Sequence, residues 1–193
     1  MNRKTLATMA ALACLAVSAA MAQQKAAPAQ KPKDKGPSLE VTMKFIQDKM
    51  NSTGAVNLVL YGHDGVSGND WSNQFSFEVS GATVNVPACV VSFHFKSTKN
   101  AQSYIDQDAG IPLKLIENII VMPIEQAFKE ADTKGGNPQK SSRADPATFV
   151  LRAFRTGGAI NDVYFQDQEL ANRVATAMVH AVEICGGGNK DPF

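Results

Sequence analysis

The sequence predicts an α+β domain: an N-terminal helix, a curved antiparallel sheet of about six or seven strands, and a long C-terminal amphipathic helix packed on that sheet. Apolar residues recur at steps of three and four near both ends of the domain and alternate with polar residues between those ends. The order of the elements predicts how the strands pair. Because the strand-like segments follow one another without intervening helices, an antiparallel sheet is favoured over a doubly wound parallel one.

The last helix is predicted over Gln168–Cys185 and is the clearest element. Asp167 is suited to cap it, since a carboxylate oxygen can accept a hydrogen bond from a backbone N–H of the first turn. Glu169 puts a negative charge where the helix dipole favours it, and Gly186 can end the helix in the left-handed conformation. One face is apolar and predicts burial against the sheet; it carries Leu170, Val174, Ala177, Met178, Ala181, Val182 and Cys185.

The first helix is predicted to begin after Ser38, a suitable N-cap, with Glu40 in its first turn. It extends over about three turns and ends at Asn51–Gly54. Its apolar residues again step by three or four, which predicts one buried face. They are Leu39, Met43, Ile46 and Met50.

The region between the two helices has the apolar alternation and the continuous apolar runs that are typical of strands. Strands are predicted around residues 56–60, 75–79, 89–95, 119–122, 148–154 and 163–165, with a short edge strand at 84–86. Pro123–Ala131 fits either one or two helical turns or an extension of the strand before it. Lys99–Leu115 is predicted to be a polar loop. Asp132–Pro146 is predicted to be a long loop, which is often functional or mobile.

The first 22 residues are interpreted as a secretory signal peptide. Arg3 and Lys4 form a basic start, an apolar run follows, and Ala20–Ala22 fits an A-x-A cleavage site, which places the mature start at Gln23. The apolar run of about 15 residues is shorter than the roughly 20 that span a bilayer. The sequence therefore predicts an exported protein, periplasmic or extracellular, with no transmembrane segment after cleavage. A retained anchor and a lipid attached at Cys14 are the weaker alternatives.

Cleavage leaves two cysteines, Cys89 and Cys185. An even pair in an oxidising compartment favours a disulfide, which would tie the end of the last helix to a strand and contribute roughly 2–4 kcal/mol. The alternative is two buried free thiols, because cysteine is among the most buried residue types.

Composition divides the mature chain into three parts. Residues 23–37 carry four lysines against one aspartate and little apolar content, which predicts a disordered basic linker. Residues 38–188 form the single predicted domain, and residues 189–193 a flexible tail. The 13 basic and 17 acidic side chains after Pro37 exclude a broad basic footprint, so nucleic acid is not an expected partner.

The sequence has no recognisable catalytic or metal-binding motif. Three histidines, His63, His94 and His180, fall in separate elements, and no H-E-x-x-H or paired C-x-x-C occurs. Asp106–Gly110 matches only a fragment of a calcium loop and is interpreted as a polar surface turn. No serine lies in a G-x-S-x-G elbow. We therefore expect no enzyme, no cofactor and no metal site.

Certain stretches together resemble a family of small, secreted, uncharacterised bacterial proteins of the acidobacterial type. They are PSLEVTMKFIQDKMN, GNDWSNQFSFEVS, ENIIVMPIEQAFKEAD and YFQDQELANRVATAMVHAVEICGG. The resemblance covers roughly Pro37 to Gly188 and implies a secreted single-domain protein, with no catalytic residues to transfer. The predicted architecture also resembles the pleckstrin-homology-like superfold, in which a terminal helix closes one end of a bent sheet. Such folds host many functions.

The leading functional hypothesis is a non-catalytic binding module of the cell envelope that contacts an envelope protein. Trp71 and Tyr104 are its candidate binding residues, beside the turn-rich Gly135–Gly136 segment, although Trp71 also fits as a lid on the sheet. The alternative is a carrier of a lipid or small apolar ligand, held between the sheet and the last helix. Four methionines would line that pocket: Met43, Met50, Met122 and Met178. A hydrolase is the second alternative.

Overall fold

The computed structural model describes residues 36–64, 67–134 and 140–188, so the predicted signal peptide, most of the linker and the tail lie outside the described residues. The described residues contain three α-helices and eight strands. The helices are α1 (Leu39–Ser52), α2 (Ile124–Lys134) and α3 (Gln168–Cys185). The strands are β1 (Ala55–Asp64), β2 (Asp70–Asn85), β3 (Val90–Lys99), β4 (Gln102–Pro112), β5 (Ile116–Pro123), β6 (Lys140–Asp145), β7 (Phe149–Arg155) and β8 (Ile160–Phe165).

The caps of the terminal helices confirm the two helix predictions. The Ser38 hydroxyl accepts a hydrogen bond from the backbone N–H of Val41 at the start of α1. The Asp167 carboxylate accepts from the N–H groups of Glu169 and Leu170, which satisfies two donors that the first turn of α3 leaves free. Gly186 ends α3 with a φ of 81°, a left-handed conformation that glycine adopts at little cost.

The α+β class is confirmed, but the strands number eight rather than six or seven and form two antiparallel sheets. One sheet has five strands in the order β4-β3-β2-β1-β6, and the other has three in the order β5-β7-β8. The two added strands lie in segments predicted as loops. Lys99–Leu115 contains β4, and Asp132–Pro146 contains the end of α2 and the whole of β6, so both loop predictions were wrong. Asp106–Gly110 is consequently part of an extended strand rather than a turn.

A β-bulge joins the predicted edge strand at 84–86 to the strand before it. The register between β2 and β3 shifts between Ser80 and Thr83, and Gly81 between them has a φ of 60°. Asn51 at the end of α1 satisfies the backbone there: its side-chain amide donates to the Ala82 carbonyl at 2.9 Å and its oxygen accepts from the Ala82 N–H at 2.8 Å. The bulge therefore extends β2 and fastens α1 to the sheet.

Buried apolar side chains form two clusters. The larger unites the inner faces of α1 and α3 with strands of both sheets, and it includes Met43, Met50 and Met178. The smaller joins β1 and β2 to α2, β6 and β7, and it includes Met122. Four residues of the apolar stripe predicted for α3 are buried in the larger cluster: Val174, Met178, Ala181 and Val182. The other three predicted residues, Leu170, Ala177 and Cys185, are partly buried and pack against it, and Ala171, which the prediction did not include, is buried as well.

The predicted disulfide is confirmed. Cys89, just before β3, and Cys185, at the end of α3, are bonded, with 6.0 Å between their Cα atoms and a sequence separation of 96. Cys89 is only 5% exposed. The bond therefore ties the C-terminal end of α3 to the sheet.

Candidate binding groove

A concave surface lies between the two terminal helices, and we call it the α1/α3 groove. The helices run in opposite directions, because Pro37 at the start of α1 lies beside His180 while Phe45, two turns on, lies beside Arg173. The groove has a volume of about 740 Å³. Its two walls are formed by Val41, Thr42 and Phe45 on α1 and by Asn172, Thr176 and Ala177 on α3.

The walls of the groove are apolar and open to solvent. Val41 is 61% exposed although it is a large hydrophobic residue, and Phe45 is only half-buried. Thr176 and Ala177 are small, so a molecule lying in the groove could approach the backbone of α3 closely. An exposed apolar surface of this kind is typical of an interaction site.

Charged side chains mark one end of the groove and a hydrogen bond marks the other. The Arg173 guanidinium lies 5.7 Å from the centre of the Phe45 ring, and the Lys49 ammonium lies 5.8 Å from the same ring. Glu169 lines that end as well. At the other end a ring nitrogen of His180 lies 2.9 Å from the Pro37 carbonyl, so the imidazole donates to it and holds the start of α1 against α3.

The four methionines proposed to line a carrier pocket are all buried in the two apolar clusters, with exposures of 3% or less. The space beside Met50 between the sheets has a volume of about 10 Å³. A cavity of that size holds about one water molecule, not an acyl chain. The α1/α3 groove lies on the outer side of the larger cluster, because two of its lining residues, Phe45 and Ala177, are partly buried and pack against that cluster.

Trp71 is the second residue of β2 and pairs with Gly62 near the end of β1. Its indole covers Gly62 so closely that a Cβ on that glycine would overlap the ring, and it packs against the smaller apolar cluster. Beside it is a recess of about 400 Å³. The recess is lined by Tyr61, whose ring centre is 5.3 Å from the Arg143 guanidinium, and by His63, which is 2.8 Å from an Asp70 oxygen. The indole N–H is buried and has no partner among the described residues.

Tyr104 and Trp71 do not line one recess. Tyr104 is 73% exposed on β4, the outermost strand of the five-stranded sheet, two strands away from β2. The residues predicted to form one binding surface therefore lie in different places. Gly135–Gly136, the third part of that surface, lies outside the described residues.

Among the described residues, Arg152 is the most buried charged side chain, and it forms ion pairs with two carboxylates. The Arg152 guanidinium donates two hydrogen bonds of 2.8 Å to Asp162 and one of 3.1 Å to Glu130, and the bonds to Asp162 raise its pKa. Burial raises the pKa of the neighbouring Tyr164, whose ring stacks on Phe77 with 3.7 Å between ring centres. All these groups are paired or packed with one another, as in a structural network.

The described residues contain no group of three histidine, cysteine, aspartate or glutamate side chains placed to hold a metal ion. The Ser97 hydroxyl is buried without a hydrogen-bond partner among these residues. His94, three residues earlier in the same strand, faces the opposite side of the sheet, since side chains alternate along a strand. These two residues therefore cannot form a nucleophile–base pair.

The residues of the α1/α3 groove were not identified from the sequence. Val41 and Phe45 form a second apolar row on α1, beside the stripe of Leu39, Met43, Ile46 and Met50. The spacing of four that links Val41 to Phe45 is the signal that was available.

Comparison of the chain with protein-family models, with curated proteins and with solved structures finds no match. The acidobacterial and pleckstrin-homology-like resemblances therefore stay predictions. Among the described residues, no helix combines the length and hydropathy that crossing a membrane requires. The fold and the groove define the class: a disulfide-linked α+β domain with an apolar surface groove between its terminal helices.

Proposed function

We propose that this chain is an exported, non-catalytic interaction module of the cell envelope that binds an amphipathic helix of a partner protein in the α1/α3 groove. The observation that carries the proposal is the pair of apolar side chains formed by the exposed Val41 and the half-buried Phe45, which face small residues of α3 across a groove of about 740 Å³.

The shape of the groove favours a helix over a small apolar ligand. Small-molecule pockets enclose roughly 70–90% of their ligand. This groove is bordered by exposed residues along both walls, including Val41, Asn172 and Thr176, so a lipid chain in it would keep much of its surface in water. An amphipathic helix needs only one face covered, and the stretch from Glu169 to His180 is about 16 Å long, or three helical turns.

The lining predicts the chemistry of the partner helix. Apolar residues at positions i, i+3 or i+4, and i+7 would meet Val41 and Phe45. Arg173 and Glu169 at one end of the groove would favour an acidic and a basic residue, respectively, on the rim of the partner. Such rim charges set orientation and association rate more than affinity.

The exported location rests on chemistry as well as on the predicted signal peptide. A disulfide persists in oxidising compartments such as the periplasm or the medium and is rare in the reducing cytosol. The Cys89–Cys185 bond is consistent with export for this reason.

The experiment compares the captured partners of the wild-type protein, Val41→Asp and the control Ile160→Asp. Both changes place a carboxylate at an exposed β-branched position, 61% and 39% exposed. Val41→Asp should change the free energy of unfolding by about 0.5 kcal/mol or less, and Ile160→Asp, which loses more packing, by about 1 kcal/mol. Burying a valine contributes about 1.5–3 kcal/mol, so Val41→Asp should weaken the partner at least about tenfold. A synthetic peptide from the captured protein should then bind wild type and Ile160→Asp equally and Val41→Asp at least about tenfold more weakly.

Two results would contradict the proposal. A partner retained equally by all three proteins would show that the groove is not the binding site. A lipid that native mass spectrometry finds on wild type but not on Val41→Asp would show that the groove holds an acyl chain rather than a helix. That result would support the carrier hypothesis instead.

A further inference from the structure

The outer edge of the five-stranded sheet carries a second surface, formed by residues other than those of the groove. Strand β4 has 11 residues and pairs with β3 alone among the described residues. On its other side every second residue presents an N–H and a C=O to solvent, a row that can template another strand.

This edge lacks most of the features that protect sheet edges from pairing. The edge strands of natural sheets are usually short, or they are interrupted by a lysine, a proline or a bulge. Here β4 contains no lysine, and its proline, Pro112, is its last residue. The register shift near Ser97 and Thr98 affects only the beginning of the strand. From Ile105 to Ile111 the pairing with β3 is continuous, so seven consecutive residues are available.

The solvent face of this edge is acidic. Asp106 and Asp108 project from β4 with side chains 52% and 96% exposed. On the same face, β3 contributes His94 and Lys96, and β2 contributes Glu78 opposite Lys96. Three carboxylates face two basic groups, which leaves one net negative charge even when the histidine is protonated.

His94 holds the two aspartates in place. Its Nδ1 lies 3.0 Å from Asp108 and its Nε2 lies 2.8 Å from Asp106. Carboxylates accept hydrogen bonds, so both bonds form together only when both ring nitrogens carry a proton. Loss of that proton would leave the edge more acidic.

The charges decide which strand can pair here. Side chains directly opposite on neighbouring strands lie about 5 Å apart, close enough for opposite charges to attract and like charges to repel. A second copy of β4 would bring its own Asp106 and Asp108 to this edge and would be repelled. We infer that the free edge of β4 from Ile105 to Ile111 accepts an extended segment of another protein, with lysine or arginine at alternate positions, by strand addition.

The test uses the purified protein and a decapeptide of alternating lysine and valine, followed by NMR. The expected result is that amide shifts and slowed hydrogen exchange are confined to β4 and the adjoining part of β3. Two control peptides distinguish the effect of charge from that of strand pairing. A peptide of alternating glutamate and valine reverses the charge, and a lysine–valine peptide with proline at two central positions keeps the positive charge but cannot pair as a strand. Both should bind at least tenfold more weakly.

Variants of the protein test whether Asp106 and Asp108 contribute to peptide binding. Asp106→Asn and Asp108→Asn should each weaken the lysine–valine peptide about two- to fivefold. Asp70→Asn is the matched control, because Asp70 is a 90% exposed aspartate that pairs with a histidine at the other end of the sheet; it should leave binding unchanged. Equal binding of the proline peptide, shifts elsewhere, or no shifts at millimolar peptide would each overturn the inference. Self-association through β4 would overturn it as well.

Discussion

The Cys89–Cys185 disulfide should contribute a large share of the stability of the domain. It closes a loop with a sequence separation of 96. The loop-closure relation gives about 4.7 kcal/mol for a loop of about 100 residues, and loss of a native disulfide from a small domain costs roughly 2–5 kcal/mol. We therefore expect reduction to lower the free energy of unfolding by about 3–5 kcal/mol. Since whole domains are stable by only about 5–15 kcal/mol, the reduced protein should be marginal.

Urea unfolding followed by circular dichroism measures this loss. Reduced wild type loses the cross-link but keeps both sulfur atoms, whereas the double variant Cys89→Ala with Cys185→Ala loses the cross-link and the sulfur atoms. The difference in free energy of unfolding between these two proteins therefore gives the contribution of sulfur packing, apart from that of the cross-link. Both should unfold at lower urea than the oxidised protein and with a larger m-value, because an unfolded chain without the cross-link exposes more surface. A loss of less than about 1 kcal/mol in the free energy of unfolding, with an unchanged m-value, would show that the cross-link contributes little to stability.

Three further predictions concern single side chains. Gly62→Val should displace the Trp71 indole, since a Cβ on the glycine would overlap the ring; the emission of the only tryptophan should move to longer wavelength, and an unshifted spectrum would contradict the packing. Asp162→Asn should lower the free energy of unfolding by about 3 kcal/mol, because it removes a charge facing the mostly buried Arg152 guanidinium; a loss under about 1 kcal/mol in urea titrations would count against this. The pKa of His94, raised by its hydrogen bonds to two aspartates, should exceed 6.5 in an NMR titration and fall when both aspartates become asparagine. Stability from that site is then present at low pH and lost as pH rises through the raised pKa; a pKa at or below 6.5 would contradict the geometry.

The helices were predictable because their local and long-range signals agree. Asp167 and Gly186 cap α3 at the predicted ends, and the apolar period between them matches the buried face. The disulfide followed from the number of cysteines and the compartment. Its partners were unambiguous because only Cys89 and Cys185 remain after the predicted cleavage.

The strands β4 and β6 could not be predicted from local sequence because pairing creates them. Ile111 is the only buried residue of β4, and Ala144 is the only buried one among the described side chains of β6. Each strand extends because it pairs with a neighbour, β3 or β1, that has a strong apolar pattern of its own. Edge strands with polar faces give little periodic signal.

The α1/α3 groove was hidden for a different reason. The row of Val41 and Phe45 is visible in the sequence, but its opposite wall is formed by Thr176 and Ala177 at the other end of the domain. Only the antiparallel packing of the two helices brings these walls together. Trp71 is the single tryptophan and was predicted as a binding residue, yet its ring covers Gly62 and packs against the smaller apolar cluster.

Photo-crosslinking in intact cells tests directly whether a partner helix lies in the α1/α3 groove. A benzoyl-phenylalanine in place of Val41, with one in place of Ile160 as the control, would be irradiated and its adducts identified by mass spectrometry. We expect one protein partner that is crosslinked from position 41 alone. The attached peptide should carry apolar residues at steps of three and four, as a helix lying in the groove requires. A lipid adduct at position 41, or the same protein crosslinked equally from both positions, would show that the groove does not bind a partner helix.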